Sequence, residues 1–277
     1  GLRSYVPTVE DLKKVVTPET KCILLPNLIG NVPDWKAIRE AFPGVTLFED
    51  SADTITKNEC TDVSTTSFYA SHVITAGGVG GMVMFNDEEH LKRALMFRDW
   101  GRIGDNIEEP SERFNHSVDG IPYDWKFLYG VAGYHLKACE MNAAFGLVQL
   151  DKLEGFLATR RQMIERYLDN LKDCPYYTLP DDSVKPNWLA IPLQCPHRLE
   201  LVKFLEENDV QTRVTFAGNI TRHPAFREYL GDFENADTIM KDGFLLGAHH
   251  GLTLEDVDRV CSLLKQFANQ NCGKYFH

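Results

Sequence analysis

The sequence lacks the usual features of membrane, secreted and nucleic-acid-binding proteins. No apolar run reaches the roughly 18 residues that a membrane-spanning helix needs, and no secretory signal pattern opens the chain. Lysine and arginine number 29 against 40 acidic residues, which gives a net charge of −11 at pH 7. Because a negative field repels phosphate backbones, we expect no nucleic-acid partner and no membrane partner. We predict a cytoplasmic protein.

Clustered metal ligands and phosphate-loop signatures are also missing. The seven cysteines include no C-x-x-C pair, which argues against a disulfide framework, a zinc ribbon and a local iron–sulfur motif. No G-K-[ST] phosphate loop is present. Adjacent His249 and His250 near a predicted strand would point to opposite faces, so we predict no metal site. The cysteines are Cys22, Cys60, Cys139, Cys174, Cys195, Cys261 and Cys272.

The chain does have an ordinary globular composition, with 43% hydrophobic and 25% charged residues. In its first hundred residues, short apolar runs alternate with helical patterns at Pro33–Phe42 and Asp87–Arg98. Such alternation favours an α/β layer fold with a mostly parallel sheet. The predicted strands are Cys22–Leu25, Val45–Phe48, Thr65–Tyr69, Val73–Thr75 and Met82–Phe85.

The second half of the chain has a different pattern. Trp100–Gly133 is rich in glycine, proline and aromatic residues, and loops of this length are usually functional or interfacial. Apolar spacing then predicts one long helix over Glu140–Leu171. We place a domain boundary within that helix, between a larger domain at residues 1–150 and a smaller α+β domain at 151–277. The smaller domain is predicted to contain strands Trp188–Leu193, Val210–Phe216 and Phe244–Ala248 and helices His197–Glu207 and Leu254–Phe267.

Acidic residues cluster directly after the predicted strand Val45–Phe48. Glu49, Asp50 and Asp53 lie within five residues, where the carboxyl end of a strand in an open α/β sheet typically meets ligands. An acid there either faces a cationic nitrogen of a ligand or caps the next turn. The run Gly77–Gly81 leads into a strand, which is the wrong order for a dinucleotide fingerprint, and by itself it predicts a tight turn.

Several short segments become specific when they are read together in order along the chain. They are Asp50 at a strand end, Ser67-Phe68-Tyr69 followed by His72, the glycine run Gly77–Gly81, Arg98–Arg102, Gly133-Tyr134 and Asn142–Ala144. In this combination the sequence resembles the DegT/DnrJ/EryC1/StrS family of sugar aminotransferases and dehydratases, which use pyridoxal or pyridoxamine phosphate. The resemblance covers nearly the whole chain.

The resemblance implies a fold and an assembly. The fold is that of aspartate aminotransferase (fold type I), with a three-layer α/β cofactor-binding domain at residues 1–150 and a small C-terminal α+β domain at 151–277. In the family the large domain begins well before Gly1, so we expect it to be incomplete at its N terminus. Family members of this kind imply a homodimer.

Position 72 decides which chemistry the resemblance implies. Aminotransferases of the family carry a Schiff-base lysine there, whereas this chain has His72. An imidazole cannot bind the cofactor covalently, but it carries protons near neutral pH. The substitution resembles the family's 3-dehydratase branch, as do Asp53 and the stretch Thr212–Arg222. The implied reaction is pyridoxamine-phosphate-dependent C3 dehydration of a nucleotide-linked 4-keto-6-deoxyhexose, serving surface-polysaccharide synthesis.

The resemblance also assigns roles at the cofactor. Asp50 pairs with the pyridinium nitrogen, Asp53 lies beside the cofactor, and Ser67 binds the phosphate. His72 removes a proton from the C4′ carbon of the cofactor. Lys137 lies where the family reaches the phosphate of the neighbouring subunit.

For the substrate, the resemblance and the chemistry of arginine point to Arg213, Asn219 and Arg222, since arginine forks suit diphosphate and carboxylate groups. The iron–sulfur form of the dehydratase carries clustered cysteines just beyond Arg98–Arg102, and Ile103–Arg113 has none, so we expect no iron–sulfur cluster. An amino acid such as glutamate would regenerate pyridoxamine phosphate. Two alternatives stay open, a nucleotide-sugar aminotransferase and a non-catalytic cofactor-binding homologue.

Overall fold

Four strands form the first sheet, in the order in which they occur along the chain. They are β1 (Cys22–Pro26), β2 (Thr46–Asp50), β3 (Val63–Ser67) and β4 (Gly81–Phe85). In the computed structural model, which describes residues 1–104 and 107–271, β1, β2 and β3 are mutually parallel and β4 runs antiparallel to β3. The predicted mostly parallel sheet is therefore confirmed, with an antiparallel strand at one edge.

The prediction of a strand at Val73–Thr75 is wrong. These residues lie in the turn between β3 and β4, and they pair with neither strand. Val73 and Ile74 are buried, at 3% and 4% exposure, which accounts for the apolar run. A short apolar run reports burial, and burial in a folded-back loop looks the same in sequence as burial in a strand.

Three helices flank the first sheet: α1 (Val9–Lys13), α2 (Trp35–Ala41) and α3 (Glu88–Arg98). The Asp34 side chain accepts a hydrogen bond from the Ala37 N–H at 3.0 Å and caps α2, so the helix begins two residues after the predicted Pro33. The apolar face of α2 packs with α1, β1 and β2 in one core cluster. That cluster contains Leu12, Ile23, Trp35, Ile38 and Leu47.

The glycine- and aromatic-rich segment after α3, predicted as a long loop, contains short elements in its described residues. They are α4 (Pro110–Arg113), the hairpin strands β5 (His116–Val118) and β6 (Ile121–Tyr123), and a 3-10 turn at Trp125–Phe127. Gly101 has φ +91°, and a Cβ there would lie 1.9 Å from the Val131 carbonyl oxygen. Two backbone segments thus meet where only glycine fits. Residues 105–106 of the cysteine-free segment, and Cys272, lie outside the described residues.

The predicted helix Glu140–Leu171 is in fact two helices, α5 (Glu140–Leu150) and α6 (Leu153–Leu171). Asp151 and Lys152 interrupt the hydrogen bonding but keep right-handed helical backbone angles. The apolar spacing therefore continues across the break, which is why the sequence pattern shows one helix. The two parts differ in environment, because α6 has five buried residues and α5 has none.

The second sheet has three antiparallel strands, with the last strand in the middle. The strands are β7 (Ala190–Gln194), β8 (Arg213–Val214) and β9 (Gly243–Gly247), and the helices are α7 (Arg198–Glu207), α8 (Glu234–Asp242) and α9 (Leu254–Asn271). The predicted strand Val210–Phe216 is only two residues long. Asp209 and Phe216 have positive φ, and the Thr212 N–H donates to Glu206 Oε1 at 2.7 Å, so its ends cannot continue the sheet.

A larger core lies between the second sheet and helices α6, α7 and α9. Two N-terminal residues, Tyr5 and Ile29, belong to this core cluster. The division at residue 150 stays a prediction. Within the described residues, no helix is both long and apolar enough to cross a bilayer.

Candidate functional site

The candidate site is built where β1 and β2 end side by side. The chain leaves β1 through a 3-10 turn at Leu28–Gly30, in which Ile29 has φ +63°. The Ile29 N–H donates to Asp53 Oδ2 at 2.7 Å. The turn after β1 therefore binds the Asp53 carboxylate, which follows the neighbouring strand β2. The carboxyl ends of parallel strands meet at one edge of the sheet, so this contact is expected.

The buried carboxylate of Glu49 connects the segments that surround the site. Glu49 is fully buried, and its two oxygens accept hydrogen bonds from donors on three segments. Oε1 accepts from Asn27 Nδ2 at 2.8 Å; Oε2 accepts from Ser64 Oγ at 2.7 Å and from the Asn58 N–H at 2.9 Å. Because residues just after β1, on β3 and in the loop after Asp53 all donate to one side chain, Glu49 holds these three segments together at the base of the site.

Asp53 and His72 face each other across the site. His72 Nε2 lies 3.9 Å from Asp53 Oδ1, and both side chains are mostly buried. Burial raises the pKa of Asp53; the Ile29 hydrogen bond and the charge of His72 lower it, and the charge of Asp50 raises it. Asp50, Asp53 and His72 thus form one electrostatic cluster.

Two members of the cluster, His72 and Asp50, keep an open polar atom. His72 Nδ1 is buried and has no hydrogen-bond partner among the described residues. Asp50 Oδ1 accepts from the Ala52 N–H at 3.0 Å and from Thr65 Oγ1 at 3.4 Å, whereas no donor in the described part of the chain reaches Oδ2. A buried ring nitrogen and a carboxylate oxygen are therefore available to a bound molecule.

The glycine run does more than make a tight turn. It folds back along β3, with the Phe68 N–H donating to the Gly80 carbonyl at 3.0 Å and an isolated bridge between Tyr69 and Gly78. Ser67 Oγ, at the end of β3, accepts from the Tyr69 N–H at 3.2 Å. Its own hydroxyl proton has no acceptor in the described ranges, so Ser67 can donate to a ligand.

A cavity of about 870 Å³ opens beside this cluster, between the loop that carries His72 and the second sheet. Its wall includes His72, Arg213 and Phe216 together with Arg160 on α6. Of the three substrate-binding residues predicted from the sequence, only Arg213 lines this cavity.

The other two lie elsewhere. Arg222 forms a bidentate ion pair with Asp237, with Nη2 at 2.6 Å from Oδ2, and Asn219 Nδ2 donates to the same carboxylate at 2.8 Å. The pair lowers the pKa of Asp237 to about 2 through hydrogen bonds from Arg222 and then Asn219. Lys137 also lies apart from the cavity, with Nζ 3.8 Å from Asp99 Oδ1 and 5.6 Å from the centre of the Trp100 ring.

A family profile, the DegT/DnrJ/EryC1/StrS aminotransferase family, matches residues 2–265 of the chain. The chain belongs to this family. A curated relative, the lipopolysaccharide biosynthesis protein RfbH of Salmonella typhimurium, is 34% identical over 94% of this chain and 65% of its own length. The dTDP-4-dehydro-2,6-dideoxy-D-glucose 3-dehydratase of Saccharopolyspora spinosa is 32% identical over 96% of this chain and 63% of its own. The chain thus spans slightly less than two thirds of both relatives.

A solved structure of the family gives the fold. The Escherichia coli GDP-4-keto-6-deoxy-D-mannose-3-dehydratase with bound hydrated PLP matches with a TM-score of 0.83 at 25% identity, over 95% of this chain and 72% of that one. The predicted aspartate-aminotransferase-like α/β fold is therefore confirmed, and so is the family resemblance inferred from the motifs.

Sequence reasoning missed three parts of the candidate site. Ile29 acts through its backbone N–H, which no residue type signals. Glu49 stood in the acidic cluster but gave no sign that it faces inward. His249 and His250 follow β9 rather than lying on it, and both line the cavity instead of pointing to opposite faces. Among the described residues, no group of three or more histidine, cysteine, aspartate or glutamate side chains could hold a metal ion.

Proposed function

We propose that this chain carries out pyridoxamine-phosphate-dependent C3 dehydration of a nucleotide-linked 4-keto-6-deoxyhexose. The observation that carries the proposal is the imidazole of His72, which lies 3.9 Å from the Asp53 carboxylate at the position where aminotransferases of the family carry lysine. The names of two relatives, both 3-dehydratases of nucleotide-linked keto sugars, support the same reaction class.

The open polar atoms fit such a cofactor. Asp50 Oδ2 is free to accept a hydrogen bond from a protonated ring nitrogen, and the Ser67 hydroxyl is free to donate to a phosphate. His72 Nδ1 is buried without a partner, which costs free energy unless a bound group satisfies it. A pyridoxamine phosphate with Asp50, Asp53 and Ser67 as its binding residues would give partners to Asp50 Oδ2 and the Ser67 hydroxyl and would lie beside His72.

In the proposed reaction, the residues of the chain hold and transfer protons. When bound, the cofactor supplies an amine that condenses with the 4-keto carbon and a ring that accepts electrons. Asp50 Oδ2 holds the proton on the ring nitrogen, so the ring stays an electron acceptor. His72 Nδ1 takes a proton from the carbon at C4′, and the nearby Asp53 carboxylate stabilises the imidazolium that forms. The hydroxyl at sugar C3 leaves as water when His72 returns that proton.

Substrate recognition involves the cavity wall. Arg213 is exposed at the cavity and suits the diphosphate of a nucleotide sugar. Asn219 and Arg222 stay predicted substrate residues, and to serve that role they would have to exchange Asp237 for the ligand. Glutamate or a similar amino acid is the proposed amine donor.

We also propose a homodimer, on the evidence of α5. This helix has no buried residue, although eight of its eleven side chains are apolar or glycine. Met141 and Leu147 are 79% and 65% exposed, and a helix that is apolar on all sides normally lies inside a protein interface or core. Lys137 lies three residues before the start of α5, so a partner packed there would bring a second phosphate within its reach. The cytoplasmic location stays a prediction.

The test is the replacement His72→Lys. The protein is loaded with pyridoxal phosphate, treated with borohydride and analysed by absorbance and mass spectrometry. Wild type should give no reducible covalent adduct and should convert the bound cofactor to its amine form with glutamate. His72→Lys should form the adduct and lose dehydration of the nucleotide-linked keto sugar.

Three results would contradict the proposal. Dehydration that persists in His72→Lys would remove His72 from the mechanism. Failure of the wild-type protein to convert the cofactor with glutamate would favour the non-catalytic homologue. Transfer of an amino group to the keto sugar by the wild type would instead identify an aminotransferase.

A further inference from the structure

The turn after β1 has a conformation that its sequence does not favour. Ile29 has φ +63° and ψ −2°, in the left-handed region where a β-branched residue is an outlier. In this conformation the Ile29 N–H donates to Asp53 Oδ2 at 2.7 Å, and the Ile29 carbonyl accepts from the Leu189 N–H at 2.6 Å. Because such a residue persists only where its surroundings hold it, contacts from outside the turn fix its shape.

Trp188 provides one such contact through Asn31. The Trp188 side chain is fully buried, and its Nε1 donates to Asn31 Oδ1 at 2.8 Å. Asn31 Nδ2 in turn donates to the Leu28 carbonyl oxygen at 3.0 Å. The oxygen and the NH2 group of one amide are thus both in use, so the Asn31 side chain keeps one orientation and connects the indole to the first residue of the turn.

The turn also packs tightly against the backbone around Trp188. Gly30 has φ +113°, and a Cβ there would lie 2.7 Å from the Asn187 carbonyl oxygen and 3.0 Å from Trp188 Cα. The Ile29 side chain is fully buried and belongs to the same core cluster as Trp188. The turn therefore follows a strand of the first sheet but is held by the core of the second sheet.

The charge of Asp53 depends on the donor that this turn presents. Asp53 is mostly buried, and burial raises its pKa. The Ile29 hydrogen bond lowers that pKa more than the charge of His72 does, and the charge of Asp50 raises it. If the Ile29 N–H were displaced, Asp53 would stay neutral up to a higher pH, and a neutral Asp53 cannot stabilise an imidazolium on His72.

We infer that Trp188 is a positioning residue for the Asp53–His72 pair, acting through Asn31 and the backbone of Ile29. The path runs from the indole N–H to the Asn31 amide, then through the turn after β1, and ends at the Ile29 N–H. The packing of the second sheet thereby sets the charge state of a residue that follows a strand of the first. The consequence for catalysis rests on the proposed function, whereas the effect on Asp53 does not.

The test follows the titration of Asp53 in the ligand-free full chain. Aspartate carboxyl ¹³C resonances are recorded by NMR as a function of pH, and Asp53→Asn identifies the signal. Trp188→Phe keeps a buried ring but loses the N–H, and should move the titration of Asp53 to higher pH. Asn31→Ala keeps the indole and should do the same. The double variant should move the titration no further than Trp188→Phe alone, because both changes break one bridge.

The kinetic readout separates positioning from binding. In the dehydration assay, Trp188→Phe should lower kcat on the order of tenfold, most strongly at acidic pH where Asp53 becomes neutral. KM should stay at the wild-type value, since the replacement changes the charge of the catalytic pair and leaves the cavity wall intact. A rise in KM at constant kcat would assign Trp188 to substrate binding and overturn the inference.

The matched control is Tyr177→Phe, in the same core cluster. The Tyr177 hydroxyl donates to the Leu264 carbonyl oxygen at 2.8 Å, so this replacement also removes a buried aromatic hydrogen bond, but one to α9. Asp53 should titrate as in the wild type. An unchanged titration in Trp188→Phe, or an equal shift in Tyr177→Phe, would overturn the inference.

Two further outcomes are distinguishable. If Trp188→Phe does not fold, the titration of Asp53 in Asn31→Ala decides, because that variant keeps the indole in the core. The titration needs no turnover, so a wild-type chain without dehydration would contradict the proposed function and leave the result on Asp53 standing.

Discussion

Replacing Glu49 by glutamine should destabilise the protein although the two side chains have the same shape. Both carboxylate oxygens accept from N–H donors, Oε1 from Asn27 Nδ2 at 2.8 Å and Oε2 from the Asn58 N–H at 2.9 Å. The glutamine amide has one oxygen and one NH2 group, so either orientation places NH2 against a donor that cannot turn away.

The size of the effect follows from the burial of the site. Glu49 has no exposed surface, and leaving one buried donor unsatisfied costs about 1–3 kcal/mol. Hydrogen bonds to the former carboxylate also become weaker, by up to about 1 kcal/mol, because they lose the charge. We therefore expect Glu49→Gln to lower the free energy of unfolding by about 1–4 kcal/mol, measured by urea titration at pH 7.

Glu59→Gln is the matched control, ten residues along and exposed, with no hydrogen bond from any described residue. It should change the free energy of unfolding by less than about 0.5 kcal/mol. If Glu49→Gln lowered the free energy of unfolding as little as Glu59→Gln, the three segments would not depend on the Glu49 carboxylate for their stability.

Three further replacements test other parts of the structure. Asp53→Asn should lower dehydration at least tenfold. Burial raises the pKa of Asp53 above its value in the unfolded chain, so the charged carboxylate lowers the stability of the wild type as the pH rises, and the variant should unfold at an equal or higher urea concentration at pH 8. An unfolding midpoint below that of the wild type would contradict this. Gly101→Ala should cost at least about 2 kcal/mol more than Gly120→Ala in urea unfolding, since both have positive φ but only Gly101 meets a backbone oxygen; equal costs would refute the close approach. Leu147→Glu should convert the dimer to a monomer in sedimentation analysis, whereas Val184→Glu, at 79% exposure, should not.

The sequence predicted the elements that have strong periodicity. Every strand of both sheets lies within a predicted strand or overlaps one, because apolar runs bounded by turn residues report burial reliably. The strand predictions were wrong where buried residues do not pair in a sheet. Val73 and Ile74 are buried in a loop, and Val210 is buried outside the two-residue β8. The break at Asp151 was invisible since helical backbone angles continue through it.

The candidate site was predictable only in part. The resemblance supplied Asp50, Asp53 and His72, and the structure brings these three together. It could not show that Arg222 is already paired with Asp237, because that ion pair depends on how the 3-10 turn Ile220–Arg222 packs against α8. Arg160 looked like an ordinary charge on an amphipathic helix, but it is buried and donates to backbone carbonyl oxygens, whereas its neighbour Arg161 pairs with Asp182.

Glu49 and Asp50 are neighbours on β2 but have different roles, one structural and one proposed to be chemical. They are adjacent on β2, and side chains of a strand alternate between its two faces. Glu49 therefore faces the buried network of Asn27 and Ser64, and Asp50 faces the side where His72 and Asp53 meet. A shift of β2 by one residue would place Asp50 in the buried network and Glu49 at the site. The shorter aspartate side chain would then have to reach the buried donors, and the longer glutamate side chain would face His72. The pairing of Pro26 with Asp50 in the parallel register is therefore as necessary to the proposed chemistry as the acid itself.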